Sequence, residues 1–340
     1  MLNGPVDIAR IDASDLDLDV ADQIAQVDRA SLEAADLPIP APVGPTRLTS
    51  LQLGSDCRPM DGLWLAREAG QLVGYASVEL PWRDNTDMAQ LRGVVHPAVR
   101  RRGLGRRLTE EALAFARAEQ RSRVYTGAWR GSDGIDALPA LGFSSDGLGV
   151  NAVRRLDLHA APHGLWDRLY DEALDPARDY ELVRLAGPTP AELMADMVTL
   201  HAAINDAPAD DPDNEADVWD ADRVSDYDRA MAGRRQTTYR VMARHRPTGE
   251  WAGLTLLCVD EFSPSVAHQE DTSVVRAHRG HRLGLLMKVE MLRWITEERP
   301  EVAATDTWNA TTNHHMIAVN ERLGATVVAH HETYRLGGRP

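Results

Sequence analysis

Apolar positions along the chain recur with two periods. Short runs that alternate or are wholly apolar, bounded by glycine, proline or aspartate, predict strands at about 62–68, 71–80, 87–96 and 122–128. Apolar residues three and four apart predict amphipathic helices near 17–34 and 104–119. The second half repeats the arrangement, with strands near 180–186, 238–245, 250–259, 268–276 and 302–308 and helices near 189–204, 282–297 and 311–322. The pattern predicts an α/β chain in which a central mixed β-sheet flanked by helices is built twice.

The two halves keep a fixed register. Gly70 and Gly74 in AGQLVGYASVEL answer Gly249 and Gly253 in TGEWAGLTLLCV; Val95, Arg100 and Gly105 answer Val274, Arg279 and Gly284, each pair 179 residues apart. Such a register marks a tandem repeat. Leu141-Gly142 and Leu323-Gly324 stand 182 apart, so the second copy carries three extra residues, as a loop insertion explains. We expect one domain at 1–157, a connection at 158–178 and a second domain at 179–340. A length of 340 residues, at roughly 150 residues per domain, leads to the same count.

Charge narrows the partners. A net charge of −15 argues against nucleic acid, whose phosphates need a basic face, and suits a cationic small molecule better. Cys57 and Cys258 form no C-x-x-C pair, which points away from a disulfide framework and a zinc site. No basic leader precedes an apolar run and no stretch of about 18 apolar residues occurs, so the expectation is a cytoplasmic monomer or homodimer without a membrane partner.

One segment carries an anion-binding signature. A strand ending at Val94-Val95 runs through His96-Pro97 into Arg100-Arg101-Arg102-Gly103-Leu104-Gly105-Arg106 and straight into a helix. A glycine-bearing turn at a helix start presents several backbone N–H groups at the positive end of the helix dipole. Flanking arginines add charge-assisted hydrogen bonds to phosphate. The second copy reads Val274-Val275, then Arg279-Gly280-His281-Arg282-Leu283-Gly284-Leu285, with Arg282 in place of the first glycine.

The R-x-x-G-x-G spacing, after a strand with V-x-P and before a helix, with Leu-Gly-Phe about 37 residues on, resembles the acyl-coenzyme A pyrophosphate loop of the GNAT superfamily. The string from Thr307-Trp308-Asn309-Ala310 through Asn313, Met316, Val319, Asn320, Glu321, Leu323 and Gly324 resembles the tandem, mycothiol synthase-like branch of that superfamily. The resemblance implies two tandem GNAT folds and acetyl-CoA as the cofactor. It also implies transfer of an acetyl group to an amine, with the C-terminal copy catalytic.

Acetyl transfer to an amine needs a proton acceptor and donors for the developing oxyanion and leaving thiolate. The resemblance puts the base on the fourth strand, here His268-Gln269-Glu270-Asp271-Thr272-Ser273-Val274. Strand alternation places Glu270, His268 and Thr272 on one face. Glu270 is the expected base, or else an exposed strand carboxylate, and His268 is a second candidate, since an ordinary imidazole titrates near neutrality. Asn320 stands where the superfamily's acid, a tyrosine, belongs, and can donate a hydrogen bond. Asn309 and Asn313 flank the start of the last helix, where Asn313 either caps it or reaches the pantetheine chain. In the first copy Pro139 holds the acid position, so that copy either binds coenzyme A structurally or walls the substrate site.

Residues 205–233 hold ten acidic residues against two arginines. This run reads as a solvated loop or as a funnel for a cationic amine, with Trp219 and Tyr227 as cation–π contacts. The expectation is a small-molecule amine acceptor. Its rivals are a non-catalytic acyl-CoA sensor or scaffold, and a protein N-acetyltransferase.

Overall fold

The computed structural model describes residues 4–206 and 213–337. Its strands are β1 (Val6–Ile11), β2 (Gly62–Glu68), β3 (Gln71–Glu79), β4 (Met88–Val95), β5 (Arg123–Trp129), β6 (Val150–Asp157), β7 (Tyr180–Ala186), β8 (Gln236–His245), β9 (Trp251–Asp260), β10 (Val266–Val274), β11 (Ala304–Ala310) and β12 (Thr326–Leu336). Its α-helices are α1 (Leu18–Ala34), α2 (Gly44–Leu53), α3 (Leu104–Ala118), α4 (Gly134–Ala140), α5 (Leu165–Leu174), α6 (Met194–Ala202), α7 (Ala221–Gly233), α8 (Leu283–Glu298) and α9 (His314–Leu323).

The chain forms two compact units. One draws its described residues from Met1–Asn151, Asp210–Glu215 and Ala329–Pro340, the other from Ala152–Ala209 and Ala216–Val328. In the first, the strands run β1-β2-β3-β4-β5-β12. Neighbours from β1 to β4 are antiparallel, β4 is parallel to β5, and β12 closes antiparallel on β5. In the second the order is β7-β8-β9-β10-β11-β6, with β7 to β10 antiparallel and β10 parallel to β11. Each unit thus takes its sixth strand from the far end of the other copy's sequence. The expected break at 157 ends β6, and the expected connection at 158–178 contains α5, which packs on α8.

Each sheet has helices on both faces because its strands are apolar on both. In the first unit α1 and α2 cover one face, with Ile24, Leu51, Leu63 and Tyr75 between them. Helix α3 covers the other, over Val78, Ala89, Leu91 and Val124. In the second unit α6 and α7 cover Met242 and Leu254, and α8 covers Val241, Leu257 and Ala267. Gly74 and Gly253 fix how closely helix and sheet meet. A Cβ at Gly253 would lie 2.9 Å from both Ser273 O and Met287 Cε, and one at Gly74 3.0 Å from Val94 O.

Candidate active site

The repeat extends to individual hydrogen bonds of the glycine loops. In the first copy His96 N donates to Val73 O at 2.9 Å and Arg100 Nε to Val95 O at 2.9 Å. In the second, Val275 N donates to Ala252 O at 2.8 Å and Arg279 Nε to Val274 O at 3.1 Å. Arg100 and Arg279 thus brace the same turn. Each loop also needs two left-handed residues. They are Arg101 (φ 62°) and Gly103 (φ 79°) in the first copy, Gly280 (φ 89°) and Arg282 (φ 55°) in the second. The motif's lost glycine is therefore moved, not missing: glycine and arginine have traded places within one backbone shape.

Neither α3 nor α8 has a side-chain cap. Their helical bonding begins with Arg107 N to Gly103 O and Leu286 N to Arg282 O, both 3.1 Å. The N–H groups of Leu104, Gly105 and Arg106, and of Leu283, Gly284 and Leu285, therefore point out of the helix ends. A Cβ on Gly105 or Gly284 would meet only an ordinary contact at 3.8 Å, so the chain's own packing does not require glycine there, whereas a backbone-bound anion does. The donor set fits a pyrophosphate.

The arginines are occupied elsewhere. Arg100 and Arg101 pair with Asp133 at 3.1 and 3.2 Å, and Arg102 pairs at 2.8 Å with Glu68, which burial would otherwise leave uncompensated. Arg106 donates to Ala140 O at 3.3 Å, Arg279 pairs with Asp206 at 2.7 Å, and Arg282 pairs with Glu172. The His281 Nδ1 sits 3.0 Å from Pro176 O. The donors each loop leaves for an anion are therefore its backbone N–H groups.

Beside each loop the sheet opens. β4 pairs with β5 only from Met88 to Gln90, and β10 with β11 only from Val266 to Gln269. Beyond those positions Leu91–Val95 and Glu270–Val274 have no parallel neighbour, and their backbones line a wedge leading away from the glycine loop. The second unit adds a β-bulge: Gln269 opposes Leu257 while Thr272 opposes Thr255, so three residues of β10 advance against two of β9.

The bulge corrects the expected alternation. Glu270 and His268 do share a face, the one under α7 that holds Cys258 and Tyr227. Thr272, expected with them, bonds Thr255 at 2.7 Å on the α8 side. Ser273 takes the α6 side, donating to Leu200 O at 3.0 Å. The first copy has no register shift here; β3 pairs without interruption from Gly74 to Glu79. Its Arg92, at the repeat position of Asp271, reaches the buried Asp28 at 3.1 Å and cannot take a proton.

Water reaches Glu270, whose side chain is exposed by area, yet protein surrounds it on the α7 face. Burial pushes its carboxyl up to about 7, with Asp271 adding to the rise and Arg234 opposing it. Asp271 is raised too, by burial and Asp217. Burial drives the His268 imidazole down despite Asp306 and Asp260, which makes it a weaker base than an ordinary imidazole. Tyr227 hydroxyl lies 3.7 Å from Cys258 Sγ, and burial raises both groups, Cys258 to about 12.

Asn320 lies on the opposite face, buried, donating from Nδ2 to Asn309 Oδ1 at 2.7 Å. Asn313 caps α9 by accepting from Met316 N at 3.3 Å, which is the simpler of its two expected roles. His314 and His315 are both exposed.

Sequence reasoning passed over His201, Lys288 and Arg154. His201, 3% exposed, stacks on Trp219 at 4.3 Å with both ring nitrogens unpartnered, and burial lowers it to about 4. Lys288 was legible as the one cation on the apolar stripe of α8.

The described acidic side chains of the run are mostly exposed or half-buried, Asp228 excepted, and several are tied up in ion pairs or caps. Residues 207–212 lie outside the described residues. Of the rest, Asp206 pairs with Arg279, Asp213 with Arg335, Asp217 with Arg223 and Asp228 with the fully buried Arg240. Asp220 caps α7 by accepting from Arg223 N at 2.7 Å. Trp219 carries Arg223 at 4.8 Å over its ring and His201 stacked beside it, so it is not free for a ligand cation.

Comparison with known proteins places this geometry. Residues 30–140 match the Acetyltransferase (GNAT) family. A tandem GNAT protein from the clavulanic acid biosynthesis pathway is 25% identical, with a TM-score of 0.77 over 99% of each chain. A GCN5-related N-acetyltransferase from Sphaerobacter thermophilus is 16% identical, TM-score 0.69, over 98% of this chain and 96% of its own. A fungal GCN5-related glucosamine N-acetyltransferase region aligns at 14% identity, TM-score 0.64, over 98% of this chain and 38% of its own. No curated protein sequence matches. The chain has a tandem GNAT fold, and the findings support acyl transfer from an acyl-CoA as the general chemistry.

Proposed function

We propose, from a chain folded as two GNAT-type units, an acyl-CoA-dependent N-acyltransferase that modifies the amine of a small cationic acceptor in its C-terminal unit. Acetyl-CoA is the donor that the sequence resemblance implies. The observation that carries the reading is the combination, in the second unit alone, of a bulged and splayed β10 with a carboxylate at its bulge. A thioester supplies an activated acyl group.

The chain's own residues do the rest. Leu283, Gly284 and Leu285 N–H groups hold the pyrophosphate, with Val274 and Val275 leading into that turn and Asn309 near the wedge. In the first unit, Leu104, Gly105 and Arg106 provide the same donors, and Val94 and Val95 the same strand end. Glu270 accepts the proton of the incoming ammonium on its carboxylate; a group titrating near 7 is matched to that transfer at neutral pH. Glu270 and Asp271 together favour a cation beside the bulge, which replaces the acidic run as the basis for a cationic acceptor. His268 stands opposite Asp306 across the parallel pairing, and the Asp306 carboxylate is held by Arg155. Asn320 offers an amide where a proton donor would otherwise stand, so the leaving thiolate takes its proton from solvent.

The test is release of free thiol from acetyl-CoA in the presence of a panel of cationic amines. Amine-dependent thiol release supports the reading. Tight acyl-CoA binding without release over a broad panel supports a sensor or scaffold, the alternative that the commitment of Asn320 to Asn309 favours.

A further inference from the structure

A small cavity of about 20 Å³ lies under the closed end of the β10–β11 wedge, on the α8 face. Arg154, Gln269, Lys288, Thr305, Thr307 and Asn320 give it its polar lining. Gln269 and Thr307 are the last paired positions before the strands part, and Asn320 ties the cavity to Asn309 just beyond them.

Two of its walls are cations with no ion pair among the described residues. Lys288 is 5% exposed and has no hydrogen bond or ion pair among the described residues. Arg154 is 6% exposed, and its Nε and Nη1 are buried with no partner. Burying a charge without a counter-charge is costly, so chance packing disfavours it. Burial alone accounts for the fall of the Lys288 ammonium to about 7.

The first copy shows that this polarity is not demanded by the fold. Leu91 pairs with Val78 there as Gln269 pairs with Leu257 here, at the same repeat positions of β3 and β9. Thr109 stands at the repeat position of Lys288, 179 residues earlier. Val124, paired with Ala89 as Thr305 is with Ala267, completes an apolar cluster. The second unit has set a lysine in place of a threonine, and an amide and a hydroxyl in place of hydrocarbon, at one spot.

We infer that this cavity binds the carboxylate at the far end of the donor's acyl chain, so that the second unit takes a short ω-carboxyacyl-CoA, of the malonyl or succinyl class, in preference to an uncharged acyl-CoA. The inference rests on the proposed reading, in which the thioester lies in the wedge. The volume admits an end group and not a whole ligand. Arg154 Nε and Nη1 and the hydroxyls of Thr305 and Thr307 complete the set a carboxylate needs once Lys288 is charged, while the Gln269 amide protons are already given to Leu256 O at 2.6 Å and Thr255 Oγ1 at 3.2 Å.

The experiment is calorimetric titration of the full chain with succinyl-CoA, malonyl-CoA, butyryl-CoA and acetyl-CoA, for wild type and Lys288→Met. Expected is tighter binding of succinyl- or malonyl-CoA than of butyryl-CoA at one site, by roughly tenfold or more, with the preference lost in Lys288→Met while butyryl-CoA affinity holds. In wild type at about pH 8.5, binding of the carboxylate donor takes up a proton, read from titrations in two buffers of different ionisation enthalpy, and butyryl-CoA takes up none. Equal affinities in wild type, or a preference that survives in Lys288→Met, overturns the inference alone. No acyl-CoA binding by the second unit overturns both it and the reading beneath it.

Discussion

Glu270 and Lys288 are titratable groups that the fold moves toward neutrality from opposite sides; for both the leading cause is burial, opposed at Glu270 by Arg234 and unopposed at Lys288. For Glu270 the functional consequence we propose is a base. Glu270→Gln lowers turnover by roughly 10² or more and leaves acyl-CoA affinity nearly unchanged. In wild type kcat/KM rises with pH through about 7, as the carboxyl loses its proton, and that limb disappears from the variant's residual rate. For Lys288 the consequence is thermodynamic. The unfolded chain holds the lysine proton up to the ordinary 10.5 and the folded chain only to about 7, so stability rises with pH across that window and the penalty is fully present below it. Lys288→Met accordingly raises the Tm of the ligand-free chain more at about pH 6 than at about pH 10. An equal shift at both pH values would place Lys288 in water. Both residues lay open in the sequence as residue types. Their partners, or lack of them, did not, because a bulge between Gln269 and Thr272 and a helix face decide what each one meets.

At the scale of elements, periodicity located β2 to within its ends and set α3 and α8 to within a residue or two, because each has a sustained apolar pattern. The elements it passed over have mixed faces. β12 carries His330, His331 and Glu332 in mid-strand, and these read as polar although Glu332 bonds Arg130 at 2.6 Å. α5 reads as a connection because only one stripe of it, with Leu169 and Ala173, is buried. The bulge was invisible for a different reason: strand alternation assumes an unbroken pleat, and one extra residue sends Thr272 and Ser273 to the other sides. The glycine loops were the most legible feature, since the repeat fixes them. Even there the sequence suggested a defect at Arg282, where the backbone has moved its left-handed glycine to Gly280.

At the scale of the whole chain, the repeat told how many units there are but not which residues build each one. The sequence places the end of the first domain at 157, yet β6 belongs to the second unit's sheet and the last strand, β12, to the first. Tyr334, 3% exposed, is part of the first unit's core. Truncation after Val328 therefore removes most of the sixth strand of the unit farthest from it in sequence. It lowers the thermal stability of that unit and weakens the acyl-CoA site proposed at Gly103–Arg106, with little change at the second loop. Retention of first-loop binding and of the full Tm in the truncated chain would contradict the strand assignment.

The central claim is that both glycine loops are acyl-CoA sites and that the second serves catalysis. It is tested most directly by calorimetric titration with acetyl-CoA of wild type, Gly105→Glu and Gly284→Glu. Each substitution has room for its Cβ and sets a side chain and a negative charge where the pyrophosphate docks. The account predicts two sites in wild type and one in each variant, with amine-dependent thiol release lost only in Gly284→Glu. Unchanged stoichiometry in the variants, or no binding by wild type, would contradict it.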